Sequence, residues 1–113
     1  MNRIVVISGG TSGIGKQTAK LFKESGDRVF ALGLHPDPLN EDEYYCDVRD
    51  EQGFKASMNK IASDYGKIDI LICSAGFGIS GAAELSETEE VKRLFDVNYF
   101  GVLNAAKACL PHM

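Results

Sequence analysis

Apolar positions along this chain follow two spacings, one suited to buried strands and one to helices. Ile4-Val5-Val6-Ile7 is an unbroken apolar run, which predicts a first strand over about residues 3–8. From Ser12 to Ser25 the pattern is helical, with Ile14, Leu21 and Phe22 on one predicted face and Gly26 placed to end the helix in a left-handed cap. A second strand is expected at Arg28–Leu32, followed by a loop carrying Pro36 and Pro38, then a short third strand at Tyr44–Cys46. Asp50 suits the N-cap of a second helix, in which Phe54, Met58, Ile61, Ala62 and Tyr65 recur at helical spacing until Gly66 closes it. Ile68–Cys73 is the fourth strand.

A Gly/Ser-rich stretch, Ser74–Gly81, leads to the last helix. Ser86 and Glu89 have the spacing of a capping box, so the helix is expected to start near Glu87 and to run almost to Pro111. Val91, Leu94, Phe95, Val102, Ala106 and Cys109 form its predicted apolar stripe, with Asn98 in the middle. A buried amide there must be paired, because each unsatisfied polar group costs about 1–3 kcal/mol. Tyr99, Leu103 and Leu110 lie off the stripe, so the helix is apolar on more than one side. Strands separated by helices of this length pair in parallel through crossovers, which makes the chain an α/β protein with a doubly wound parallel sheet. The expected strand order is 3-2-1-4, with a ligand crevice between strands one and four, where the winding reverses.

At 113 residues the chain accommodates one domain, 1–113, with a single core and no linker or repeat. Its 44% hydrophobic and 25% charged residues are ordinary for a globular protein, and a net charge of -4 with no basic stripe argues against nucleic acid. Cys46, Cys73 and Cys109 are odd in number and read as reduced, mostly buried thiols; with only His35 and His112 beside them, no metal site is expected. A strand beginning almost at Met1 leaves no room for a signal peptide, and no apolar run approaches membrane-spanning length. A cytoplasmic location is therefore expected, with no membrane partner.

The segment joining strand one to the first helix, Ser8-Gly9-Gly10-Thr11-Ser12-Gly13-Ile14-Gly15, carries the chemistry. Its glycines let a backbone approach a ligand closely, and the free N–H groups of a helix's first turn favour an anion. Three readings compete: a tight turn without ligand, a mononucleotide P-loop, and a dinucleotide cradle. The P-loop needs Ser or Thr after Lys16, where this chain has Gln17, and no strand ends in an aspartate suited to hold magnesium.

Ser8-Gly9-x-x-x-Gly13-Ile14-Gly15 resembles the Thr-Gly-x-x-x-Gly-x-Gly loop of the short-chain dehydrogenase/reductases, with Ser for the leading Thr. Three further stretches match in the same order. Cys46-Asp47-Val48 resembles the family's Asp-Val pair, which flanks adenine; Asp47 would accept from the exocyclic amine while Val48 packs on the ring, the alternative being that Asp47 helps cap the next helix. Cys73-Ser74-Ala75-Gly76 stands where the family has Asn-Asn-Ala-Gly, with both asparagines replaced. Asn98 in Val97-Asn98-Tyr99-Phe100-Gly101 matches the family's Asn-x-x-Gly, whose asparagine breaks the helix locally and orders a water in the proton relay; the alternative is an Asn that only tethers two segments.

The resemblance covers essentially the whole chain and implies a Rossmann-like fold, NADP or NAD as cofactor, and hydride transfer between nicotinamide and an alcohol or ketone. It implies cofactor contacts from Gly9, Gly10, Thr11, Ser12, Gly13, Ile14, Gly15, Asp47, Val48, Ser74, Ala75 and Gly76, with Asn98 on the catalytic side. Phe77-Gly78-Ile79-Ser80-Gly81 is most similar to members acting on steroid-type or similar lipid alcohols and ketones. The family's Ser and Tyr-x-x-x-Lys are absent: Tyr44, Tyr45, Tyr65 and Tyr99 are followed four residues on by Val48, Arg49, Asp69 and Leu103. The resemblance therefore implies the N-terminal half of a longer enzyme, which binds dinucleotide without catalysis on its own. Gly33 stands where an acid would favour NAD, with Leu34 and His35 after it, so the balance tips slightly to NADP. The family's counterpart of the last helix commonly packs on a second subunit, which implies a homo-oligomer. A non-catalytic nucleotide-binding or assembly module is the alternative from another class.

Overall fold

The computed structural model describes residues 2–113. Four strands, β1 (Ile4–Ser8), β2 (Arg28–Gly33), β3 (Glu43–Tyr45) and β4 (Ile70–Cys73), form one sheet in the order β3-β2-β1-β4. All pairings are parallel, with Val5 opposite Val29 on one side and Ile70 on the other. The expected fold and strand order are both present. The sheet divides the apolar residues by the two-residue period of its strands. Ile4, Val6, Phe30 and Leu32 face α2 (Glu51–Tyr65) and α4 (Gly101–Cys109), where Phe54, Met58, Ile61, Ala105 and Cys109 close the main core. Val5, Ile7 and Val29 face α1 (Gly13–Glu24) through Ala19.

Local signals place most helix ends. Asp50 caps α2 by accepting from the Gly53 N–H at 3.0 Å. Gly66, at φ 86°, ends the same helix with its N–H on the Ala62 carbonyl at 2.7 Å, a backbone turn that only glycine adopts without strain. At the other end of the sheet, the Arg3 guanidinium and backbone N–H bond the Asp27 carboxylate, which has no exposed side-chain surface. That pairing holds the Asp27 carboxyl at about 2, below the ordinary aspartate value. A folded-state value below the unfolded one stabilises the fold above about pH 4, and the contribution is lost as pH falls through about 2. Asp27→Asn is thus expected to lower Tm at neutral pH and to flatten the acid limb between about pH 4 and 2. Thermal unfolding followed by circular dichroism across that range checks it; an unchanged acid limb in the variant would contradict the pairing.

Three expectations from periodicity are corrected. Ile14 and Leu21 are 82% and 64% exposed, because α1 sits on the sheet through its small residues Gly15 and Ala19 instead. No capping box forms: the Ser86 hydroxyl donates to the Ala82 carbonyl, and Glu87 precedes α3 (Thr88–Phe95) with no side-chain cap. The final helix is not continuous either. A wider π-type turn at Asp96–Phe100 separates α3 from α4, and Leu110–His112 is a closing 3₁₀ turn.

The π turn inserts a residue relative to the helical period, so positions aligned across Asn98 by 3.6-residue spacing no longer share a side. The buried face of α4 is Gly101, Ala105, Ala108 and Cys109, whereas Phe95 and Val102 of the predicted stripe are exposed. Tyr99, Leu103 and Leu110 are exposed as well. Cys46 and Cys109 are buried, and burial pushes both thiols up to about 11, which keeps them protonated and inert at neutral pH. Cys73, at the end of edge strand β4, is exposed.

Candidate functional site

The C-terminal ends of β1, β2 and β4 open onto a cavity of about 700 Å³. Its floor comes from the β1–α1 turn (Gly9, Thr11, Ser12, Gly13, Ile14) and its flanks from Gly33–His35, Cys46–Arg49 and Ser74–Phe77. Arg93 and Val97, from α3 and the π turn, complete the wall. The crevice lies where the sheet order reverses, with β2 on one side of β1 and β4 on the other. A second depression of about 510 Å³, lined by Lys23, Arg28 and residues 39–42, lies at the opposite end of β2 and shares no residue with it.

Close backbone approach explains the glycines of the floor. Gly9 has φ 71°, and a Cβ there would lie 2.5 Å from the Ala75 backbone nitrogen. A Cβ on Gly10 would come within 2.9 Å of the Ala31 side chain and the Ile7 carbonyl. One on Gly15 would run into the Gly9 carbonyl oxygen and the Ser74 hydroxyl. Gly13 differs: its φ is 54°, yet nothing lies within 4 Å of where a Cβ would stand, so it opens onto the cavity. Three glycines therefore knit the turn to β2 and β4, and the fourth leaves room for something outside the protein. The first turn of α1 starts here after Ser12, whose side chain caps nothing, so its backbone N–H groups remain directed at that space.

Ser74 joins β4 to β1 at the crevice, its hydroxyl donating to the Ser8 carbonyl at 2.7 Å beside the backbone bond between the same residues. It thereby does a tethering job through its own side chain. Gly33 has an equally local cause. A Cβ at that position would collide with the buried Thr11 hydroxyl, so no carboxylate fits at the end of β2.

Asp47 does not cap α2, which Asp50 does. Its carboxylate accepts from the Arg49 backbone N–H at 3.0 Å and from the Arg49 guanidinium at 2.6 Å, and that guanidinium holds the Asp47 carboxyl below its usual range. Ionised, it keeps acceptor capacity toward the cavity. Val48 is 8% exposed and belongs to both the cavity wall and the main core.

Asn98 is exposed rather than buried, which corrects the argument from a buried amide. Its amide is nonetheless paired at both ends: Oδ1 accepts from the Phe77 N–H at 3.0 Å and Nδ2 donates to the Phe77 carbonyl at 2.7 Å. It sits in the π turn, as a residue that breaks the helix locally is expected to, and it ties the loop after β4 to the last helices. Sequence reasoning did not single out Arg49, Arg93, Phe77 or Val97 as part of the wall, nor Asn104, whose Nδ2 donates to the Val48 carbonyl at 3.0 Å. Among the described residues no cluster of three or more metal-ligating side chains is present, and no helix is long and apolar enough to cross a membrane.

Comparison with known proteins agrees with this geometry. The family model described as short chain dehydrogenase matches residues 3–113. The chain is 37% identical to the 3-ketodihydrosphingosine reductase of Bacteroides thetaiotaomicron, over 98% of this chain and 42% of that protein. It is 35% identical to a probable short-chain type dehydrogenase/reductase of Helicobacter pylori, over 96% of this chain and 42% of the other. The ligand-free aldohexose dehydrogenase of Thermoplasma acidophilum superposes with a TM-score of 0.92 at 35% identity, covering 99% of this chain and 44% of that one. ElxO with NADP bound superposes at 0.89 with 27% identity, covering 100% of this chain and 51% of ElxO. The chain thus spans about 42% of the length of the two curated relatives named here. With a matching family model along nearly all its length and the same fold, the chain belongs to the short-chain dehydrogenase/reductase family.

Proposed function

We propose that residues 1–113 are the dinucleotide-binding part of an NAD(P)-dependent oxidoreductase. The observation that carries this reading is Gly13, whose positive φ and open surroundings leave a gap at the N-terminus of α1, facing the cavity at the C-terminal ends of the strands. The residues present fit a dinucleotide. Gly9, Gly10, Thr11, Ser12, Gly13, Ile14 and Gly15 would hold its pyrophosphate, Asp47 and Val48 its adenine, and Ser74, Ala75 and Gly76 the ribose on the nicotinamide side. The cofactor, when bound, supplies hydride chemistry.

The chain's own residues bind and orient. Asn98 fixes the Phe77 backbone at the edge of the cavity, next to Gly76, where a Cβ would approach its Oδ1 to 2.9 Å. From that place it would support proton movement in the complete enzyme, together with Ser and Tyr-x-x-x-Lys groups that these residues do not supply. The substrate is proposed as an alcohol or ketone. A lipid-type ketone is favoured by the Phe77–Gly81 stretch and by the name of the Bacteroides relative. NADP is favoured over NAD because Thr11 leaves no space for an acid at Gly33, while His35 and Arg49 line the same wall. The NADP in ElxO agrees with this lean.

The exposed apolar residues of α3 and α4 support a homo-oligomer, and the reading as a cytoplasmic protein rests on three cysteines free of disulfides. Calorimetric titration of the 113-residue chain with NADPH, NADH and ATP–magnesium tests the proposal. Binding of a reduced dinucleotide, NADPH more tightly, is expected; magnesium-dependent ATP binding with no dinucleotide affinity would replace it with the P-loop reading.

A further inference from the structure

We infer that Asn104 is a positioning residue of the nucleotide site, setting the Asp47–Val48 wall against the adenine from the far side of the core. The inference rests on the dinucleotide reading above and concerns a residue that does not itself line the cavity.

Residues 46–50 belong to neither β3 nor α2, so regular backbone pairing does not fix them. Bonds within the segment shape it locally: the Arg49 N–H and guanidinium to the Asp47 carboxylate, and the Asp50 N–H to the Asp47 carbonyl at 2.9 Å. None of these anchors it to the rest of the molecule. At its start, the Cys46 N–H bonds the Gly33 carbonyl at 2.9 Å. At its centre the anchor is Asn104, which reaches across 56 positions of sequence to the Val48 carbonyl.

The same helix supplies a second contact three residues earlier. A Cβ on Gly101 would fall 2.8 Å from Val48 Cγ2, so α4 is seated directly on the valine. Positions 101 and 104 lie on neighbouring turns of one helix face. Gly101 fixes how near the Val48 side chain can come, and Asn104 fixes the direction of its carbonyl. Together they define the height of the Val48 side chain in the wall and hold the backbone from which Asp47 projects, while Arg49 orients the carboxylate itself. Asn98, on the preceding turn, ties Phe77 by both backbone groups. The π turn and the first turn of α4 therefore bond the two flanks of the cavity, one each.

A role confined to stability would weaken all ligands alike. A positioning role changes discrimination at the adenine. The test compares binding of NADH with that of its hypoxanthine analogue, in which the exocyclic amine is replaced by oxygen, by calorimetry on the 113-residue chain. The wild type is expected to prefer the adenine form about tenfold, the scale of one hydrogen bond to a charged acceptor. Asn104→Ala should bring that ratio to about one, as Asp47→Ala should. Asn104→Ser, too short to reach the Val48 carbonyl, serves as the second variant where the alanine chain does not fold. A retained tenfold preference in a folded Asn104 variant overturns the inference and leaves the dinucleotide reading standing. Equal affinities in the wild type, or no binding of either, overturn the Asp47 assignment or the dinucleotide reading respectively, and this inference with them.

Discussion

Gly13→Val is expected to abolish dinucleotide binding while leaving the fold in place. Apart from its chain neighbours and the backbone of α1 itself, no protein atom lies within 4 Å of where the first side-chain carbon would go, so the substitution meets nothing in the interior. The branched side chain would instead fill the space at the start of α1, where a pyrophosphate must approach the backbone N–H groups. Its intrinsic cost comes from the backbone: φ at this position is 54°, and a β-branched residue is strained there by about 1–2 kcal/mol. Such a cost lowers Tm without unfolding an ordinary domain. The loss of binding should be far larger, at least about a hundredfold in Kd, or about 3 kcal/mol. Titration with NADPH beside a circular dichroism melt separates the two effects. A folded variant that binds like the wild type would remove the glycine turn from the site.

Two residues further on, the same change should strongly destabilise the structure. Gly15 is buried, and a side chain there points at the Gly9 carbonyl oxygen and the Ser74 hydroxyl. Neither neighbour can yield cheaply. The carbonyl is backbone within the glycine turn, and the hydroxyl is held on the Ser8 carbonyl across the β1–β4 pair. Gly15→Val must push α1 away from the sheet or break that tether, an overpacking cost of about 3 kcal/mol or more. For a domain of this size that is a fall in Tm of more than about 10 °C. A thermal melt checks it directly; a variant within a few degrees of wild type would mean that α1 is not seated on Gly15. The contrast between Gly13 and Gly15 separates a residue kept small for a ligand from one kept small for packing, within a single turn.

The strands and the glycine turn were legible because their causes are local. Parallel strands covered on both faces read as apolar runs, and Gly66 and Asp50 end and begin α2 through bonds to residues within four positions. The last helix misled because its register depends on something no periodicity displays. Its π turn rotates the buried face onto Gly101, Ala105 and Ala108, residues too small to stand out in an apolar pattern, and leaves Phe95 and Val102 outside. Ser86 carries the spacing of a capping box, yet its hydroxyl bonds the carbonyl four residues back instead.

At the site, residue types in order pointed to Gly9–Gly15, Asp47–Val48 and Ser74–Gly76, all of which line or border one cavity. What held them there was not legible. Ser74–Ser8, Asn98–Phe77 and Asn104–Val48 are bonds across 66, 21 and 56 positions, and each exists only once the sheet and α4 are assembled.

The central claim is that one cavity at the C-terminal ends of the strands receives a dinucleotide, and amide hydrogen exchange with and without NADPH tests it most directly. The account predicts slowed exchange at residues 9–15, 46–49 and 74–77, with residues 39–42 at the opposite cavity unchanged. Protection centred on residues 39–42, with the glycine turn exchanging as freely as before, would contradict it.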